Sequence, residues 1–234
     1  MFMRPLFATS GVVNAICLVI LVLRFALFIP SFGMWFYIWQ YDVNNTYEVV
    51  NMQPEHLHEV TRHMIRYMQG REDNLQIMTI VGGEARYFFS DIEIRHMIDV
   101  QDLFTAGNVL INTSIALFAL TLAVFVIFGR DKIWHLLKGW QIVSVAVFSV
   151  FALLVFLIGI NWHNAFVIFH EIFFNNDYWI LNPRVDLLVN IVPYNFFITL
   201  SIVIGSFFAV GLGIIFTAST LLLRRSKKSS YYGR

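Results

Sequence analysis

Charged residues are few in this chain. Asp, Glu, Lys and Arg make up 13% of 234 residues, about half of the roughly 25% usual in soluble domains, and an ordinary water-soluble domain is thereby excluded. Cysteine is almost absent. Cys17 stands alone inside an apolar run, so no intrachain disulfide can form. Missing as well are internal repeats, low-complexity stretches other than a basic tail, and a Gly-x-Ser-x-Gly nucleophile elbow. What is present is apolar: 58% hydrophobic residues, 17% aromatic, and a mean hydropathy of +0.68. These values describe an integral membrane protein. The net charge of +1 says little about partners beyond bilayer lipid, and no nucleic acid is expected.

Four stretches reach the roughly 20 apolar residues needed to cross a hydrocarbon core: residues 11–29, 106–128, 142–160 and 196–220. The first is too long for a secretory signal, contains Arg24, and leads into the bulky run 32–41 instead of a small-residue cleavage site. Nor is it a lipoprotein signal, because bulky Ile16 precedes Cys17. Residues 1–234 therefore read as a single all-α integral membrane domain with four transmembrane helices. Short cytoplasmic loops are enriched in Lys and Arg. All four lysines, Lys132, Lys138, Lys227 and Lys228, fall on one side, together with Arg4, Arg224, Arg225 and Arg234. Both termini are expected in the cytoplasm. Segments 36–103 and 161–190 hold every carboxylate except Asp131 and are expected to be extracytoplasmic. Trp35, Trp39 and Trp162 would mark the outer interface, and Trp134 and Trp140 the inner one.

The segment between the first two spans is polar enough to form a small extracytoplasmic subdomain, an amphipathic helix plus a short β-hairpin. Pro54 suits a first helical turn, and Leu57, Val60, Met64 and Met68 recur at helical spacing; this helix would lie on the bilayer or cap the bundle. Residues 76–81 and 85–89, joined by Gly82 and Gly83, read as the hairpin. Ser90 and Glu93 form a capping-box pattern opening a helix that continues into the second span. His96, Asp99 and Asp102 share a face of that helix. In the last span Gly205, Ala209 and Gly213 form a smooth ridge for helix packing.

The candidate chemistry lies in two His-carboxylate pairs, His96 with Asp99 and His170 with Glu171, the second in a loop between two spans. A neutral imidazole held by a carboxylate can take a proton near pH 7 and return it to a leaving group. Asp99, three residues on, is the better orienter. Arg24, an intramembrane cation, either faces this site or snorkels to headgroups. Asn108 and Asn112, one turn apart, line the same cavity or pack. The spacing of His56, His58 and His63 fits no common zinc signature, and a His96, Asp99 and His170 metal site is the weaker reading of those residues. No metal and no cofactor are expected. His163, seven residues before His170, would stack with it in a helical loop, and His135 falls on the inner side.

Two segments carry a resemblance. Phe89-Ser90-Asp91-Ile92-Glu93-Ile94-Arg95-His96-Met97-Ile98-Asp99-Val100, and Phe169-His170-Glu171-Ile172-Phe173-Phe174 followed by Trp179, Pro183, Asp186, Leu187, Pro193, Phe196 and Phe197, resemble the lipoprotein intramolecular transacylases of Gram-positive bacteria. With the four-helix layout the resemblance covers nearly the whole chain. It implies a multi-pass enzyme of the bacterial cell membrane, with its site at the extracytoplasmic face. The reaction implied moves the sn-2 acyl chain of a diacylglyceryl-modified lipoprotein to the α-amino group of its N-terminal cysteine, giving an N-acyl lyso-form lipoprotein. The family's two functional histidines map by motif onto His96 and His170. On this reading His96, oriented by Asp99, deprotonates the cysteine ammonium, and His170 stabilises the oxyanion or protonates the glycerol oxygen. Arg24, Glu171, Asn108, Asn112 and Trp179 would contact substrate, of which Arg24, Asn108 and Asn112 are not carried over from the family pattern. A monomer is expected. Two other classes compete: a metal-dependent membrane hydrolase, and a non-enzymatic tetraspan for assembly or transport.

Overall fold

Long apolar stretches make the long helices, and glycines and prolines cut them. The computed structural model describes residues 3–232, with side chains for 5–129 and 131–225. The side chains of Arg4, Lys227 and Lys228 and the whole of Arg234, on which part of the expected orientation rests, lie outside the described residues. The chain runs α1 (Met3–Phe32), α2 (Met34–Val43), α3 (Thr46–Val49), α4 (Pro54–Met68), β1 (Met78–Val81), β2 (Glu84–Tyr87) and α5 (Asp91–Phe128). It continues through a 3₁₀ turn (Arg130–Lys132) to α6 (Ile133–Ile160), α7 (Trp162–Phe173), α8 (Leu188–Ile191) and α9 (Tyr194–Tyr232). α1, α5, α6 and α9 are each long and apolar enough to cross a membrane.

The chain forms two compact units where the sequence suggested one. The first comprises Met1–Leu27, Val109–Ile160 and Ile204–Arg234. Its helices meet through close backbone approach. A Cβ on Gly11 would lie 2.6 Å from the carbonyl oxygen of His135, and one on Gly139 would collide with the carbonyl of Gly11, so α1 and α6 cross where neither carries a side chain. The ridge expected on α9 is displaced. Gly205 meets Phe151 and Gly213 faces open space, while Gly211 makes the tight contact, against Val22. Asn14, fully buried, donates to Thr121 Oγ1 at 2.9 Å and the Phe118 carbonyl at 3.1 Å, and accepts from Trp140 Nε1 at 2.9 Å. This one amide joins α1, α5 and α6. It also occupies Trp140, whose indole the sequence suggested as an interfacial anchor.

The second unit comprises Phe28–Asn108 and Asn161–Val203. Pro54 opens α4, and Leu57, Val60, Met64 and Met68 are all buried with Phe36, Tyr41, Leu75 and Phe196. The apolar face of α4 is therefore covered by protein. α2 leaves an apolar face open: Phe36, Tyr37, Gln40 and Tyr41 are buried, while Trp35, Trp39 and Val43, four residues apart, are exposed. β1 and β2 pair antiparallel in the register Met78↔Tyr87 to Val81↔Glu84. Gly82 and Gly83 both have positive φ, 62° and 86°, as a two-residue hairpin turn requires.

Candidate active site

Two helices of the second unit carry the histidines. α5 has 38 residues, about 57 Å at 1.5 Å per residue, against a hydrocarbon core of roughly 30 Å. Its charged first turns, including Glu93, Arg95, His96, Asp99 and Asp102, precede the apolar stretch 106–128, and the helix is longer than such a core requires. Half of the predicted capping box forms: the Glu93 carboxylate accepts from the Ser90 amide at 2.6 Å. The Ser90 hydroxyl instead donates to Asp186 at 2.8 Å, and Glu93 also accepts from the Leu188 amide. Asp186 accepts the Asn182 amide at 2.8 Å. Glu93 is fully buried, and burial pushes its carboxyl above the usual range, opposed by the two amide donors. These bonds fasten the start of α5 to the segment 182–188.

His170 stands on a helix where the sequence suggested a loop. Asn161 accepts from the Asn164 amide at 3.0 Å and so caps α7, which ends just past His170 because Phe174 turns extended. The imidazole is buried. Its Nδ1 donates to the carbonyl oxygen of Phe166 at 2.7 Å, since a carbonyl can only accept. Neutral His170 then carries its lone pair on Nε2. Burial lowers its pKa, and the Phe166 carbonyl opposes that shift. Trp179 lies over the ring, 4.7 Å between centroids at 30°, and Phe166 packs at 4.3 Å. His163, two turns back on α7, sits by Tyr194 at 6.3 Å and is exposed.

The His96 and His170 rings are 6.1 Å apart at 33°, with buried Phe174 against both, at 5.3 and 5.6 Å. Burial first, and the neighbouring His170 second, lower the His96 pKa to about 4, opposed by Asp99. Asp99 is near enough to act through space, yet the buried Nδ1 of His96 has no hydrogen-bond partner. The side chain that bonds Asp99 is Asn176, whose Nδ2 donates to Oδ2 at 2.9 Å. A buried N–H without an acceptor is costlier than an idle lone pair. Neutral His96 is accordingly the Nε2–H tautomer, a donor.

Beside His170 opens a cleft of about 470 Å³ lined by Glu171, Phe174, Asn176, Asp177 and Trp179 among others. Of the residues the sequence singled out, His96, Asp99, His170, Glu171, Trp179 and Asn108 belong to this unit, whereas Arg24 and Asn112 belong to the first. Asn108, Asn112 and Asp102 are exposed and Arg24 is half-buried. His58 meets the Tyr47 hydroxyl at 2.8 Å and His63 donates to the Asn74 carbonyl at 2.9 Å. Among the described residues no group of three His, Cys, Asp or Glu is arranged to hold a metal ion. Sequence reasoning missed Asn176, Phe166 and Phe174. Only the Asn175-Asn176-Asp177 run, a turn-forming composition, was a usable signal.

Known proteins share this architecture. A family model described as lipoprotein intramolecular transacylase Lit matches residues 12–197. The in meso structure of the lipoprotein intramolecular transacylase Lit from Bacillus cereus superposes with a TM-score of 0.74 at 18% identity, covering 95% of this chain and 98% of that one. A histidine-to-arginine variant of the same protein gives 0.77 at 19% identity, over 97% and 96% of the two chains. Its histidine-to-alanine variant gives 0.77 at 18%, over 97% and 98%. No curated protein sequence matches. With four membrane-length helices and a match over most of its length, the chain belongs to the lipoprotein intramolecular transacylase family.

Proposed function

We propose that this protein moves the sn-2 acyl chain from the diacylglyceryl group of a membrane-anchored lipoprotein to the α-amino group of the same N-terminal cysteine. The observation that carries the mechanism is the pair of buried imidazoles 6.1 Å apart, one of them with Nδ1 engaged by a backbone carbonyl.

That geometry favours roles opposite to those first expected. A base whose conjugate acid is pushed down to about 4 by burial is poorly matched to an ordinary α-ammonium of pKa about 8, which disfavours His96 as the group that takes that proton. The amine enters neutral. Its nitrogen attacks the ester carbonyl carbon, and as the C–N bond forms, Nε2 of His170 takes the amine proton. His96, kept neutral by burial, donates through Nε2–H to the developing oxyanion, a role for which a lowered pKa is an advantage. Collapse breaks the bond between the acyl carbon and the sn-2 oxygen, and His170 returns its proton to that oxygen. Donor and acceptor share one molecule, so the enzyme chiefly holds amine and ester together, and no covalent enzyme intermediate is needed. The more stable amide replaces an ester, which sets the direction.

The cleft bounded by Glu171 and Trp179 would take the polar end of the substrate, with Arg24, Asn108 and Asn112 the remaining substrate contacts suggested by sequence. Apolar spans 11–29, 106–128, 142–160 and 196–220, both termini in the cytoplasm and an extracytoplasmic site complete the reading, for a monomer without cofactor. The experiment is mass spectrometry of the N-terminal peptide of a lipoprotein from cells that otherwise make only the diacyl form. A mass-neutral shift of one acyl chain to nitrogen, seen with the wild-type chain and not with His170→Asn, supports the proposal. An unchanged diacyl peptide with both sinks it.

A further inference from the structure

We infer that Asn176 is a positioning residue that holds the two imidazoles in register, an inference that rests on the transfer reading above. Its side chain is used at both ends. Nδ2 donates to Asp99 Oδ2 at 2.9 Å, and Oδ1 accepts from the Tyr178 amide at 3.0 Å. Asp99 lies one turn beyond His96 on α5. Trp179, directly after Tyr178, covers His170. A second tie lies beside the first: Arg95 donates to the Tyr178 hydroxyl at 3.3 Å and its guanidinium carbon stands 5.5 Å from that ring. The segment 176–179 is thus bound to α5 at residues 95 and 99, on either side of His96, and rests at its far end on His170.

This assigns Asp99 a different task from the one its spacing suggests. Its described hydrogen bond goes to Asn176 and none goes to His96 Nδ1. The carboxylate is an anchor for the loop. Removing the amide frees the segment carrying Trp179, so the imidazoles and the cleft wall lose their fixed spacing. Misplacement of about 1 Å costs on the order of a hundredfold in rate.

The test uses the purified full-length protein in detergent with a synthetic diacylglyceryl-cysteinyl peptide, with the folded fraction measured at each pH. Asn176→Ala is expected to lower kcat by about 10- to 100-fold per folded molecule, with KM raised as the cleft wall loosens. Asn176→Asp supplies a readout that a merely structural role would not move. It sets two carboxylates against each other, and their repulsion raises the pH at which one of them takes up a proton. As pH falls one takes a proton and becomes the missing donor. The titratable and charged groups around this pair are His96 on α5, His170 and Glu171 from α7, Asp177 beside Asn176, and Arg95 against Tyr178; all are present in both proteins, so the ratio of variant to wild-type kcat removes what the two share. That ratio should rise about tenfold from pH 7.5 to 5.5, as expected where one protonation restores the bond. A pH-independent ratio, or wild-type kcat in Asn176→Ala, would overturn the positioning role alone. Failure of the wild-type chain to transfer acyl would overturn the function and this inference with it.

Discussion

The two units treat buried polarity in opposite ways. In the first, Asn14 is fully buried and every polar atom of its side chain is bonded across helices. In the second, polar atoms are left idle. Of the seven buried side-chain atoms without a partner among the described residues, six belong to the second unit, His96 Nδ1 among them, and only Ser144 Oγ to the first. Among these, His96 Nδ1 is the one at the candidate site, where an unpartnered polar atom is consistent with chemistry. The network around Asn14 is accordingly structural, and the second unit, which carries both histidines, is where substitution should chiefly alter rate.

The largest effect expected is for His170→Asn. The shorter amide can still donate to the Phe166 carbonyl but has nothing at Nε2, so kcat should fall by about 10²- to 10⁴-fold while thermal unfolding stays near wild type. Comparable loss of stability would show that the ring is structural. For His96, a donor role predicts an order among variants. His96→Ala should lose about 10²- to 10³-fold in kcat, and His96→Gln, whose amide can replace Nε2–H, should lose clearly less. If Gln and Ala fall equally, the donor assignment fails.

At Asn14 and Gly139 the first unit should respond in stability alone. Gly139→Ala drives a methyl into the Gly11 carbonyl and should cost about 1–3 kcal/mol. Asn14→Leu strands Trp140 Nε1 and should cost about 1–2 kcal/mol. Both are read by unfolding in detergent, with kcat per folded molecule unchanged. A changed kcat would dissolve the contrast between the units.

Titration sharpens the same contrast. His96 has a folded pKa of about 4 against about 6.5 for an unfolded histidine, so between those values the unfolded chain binds the extra proton. Stability then rises with pH through that window and is lost as pH falls from 6.5 toward 4. His170, also lowered, adds to the same slope. His96→Asn should flatten the fall in melting temperature between pH 7 and 4; an unchanged slope would show that the imidazole is not held neutral. The smallest effect concerns α2. If Trp35 and Trp39 lie in lipid headgroups, brominated lipid should quench part of the tryptophan emission, and Trp35→Phe with Trp39→Phe should remove that part.

Much of this was legible in the chain. Hydrophobic length alone marks the four long helices, because a bilayer demands about 20 apolar residues whatever they pack against. Gly82 and Gly83 mark the hairpin, because two positive φ angles are needed there. The histidines were found through carboxylate neighbours, and here local spacing misled. Asp99 shares a helix face with His96, yet it is bonded to Asn176, 77 residues away. Likewise the spacing of α4 fits a helix lying on the bilayer or one packed on protein, and its apolar face is covered by protein.

Periodicity reports which faces must be buried, not what buries them. The sequence therefore determined a membrane-embedded helical protein and its hairpin, since each rests on local composition or backbone preference, and it singled out His96 and His170 as candidates. Only the tertiary structure decided that the imidazoles are neighbours, that Phe166 fixes the tautomer of His170, and which partner Asp99 takes. Hydrogen bonds and burial depend on which side chains meet after the chain has returned on itself, and nothing local encodes that meeting.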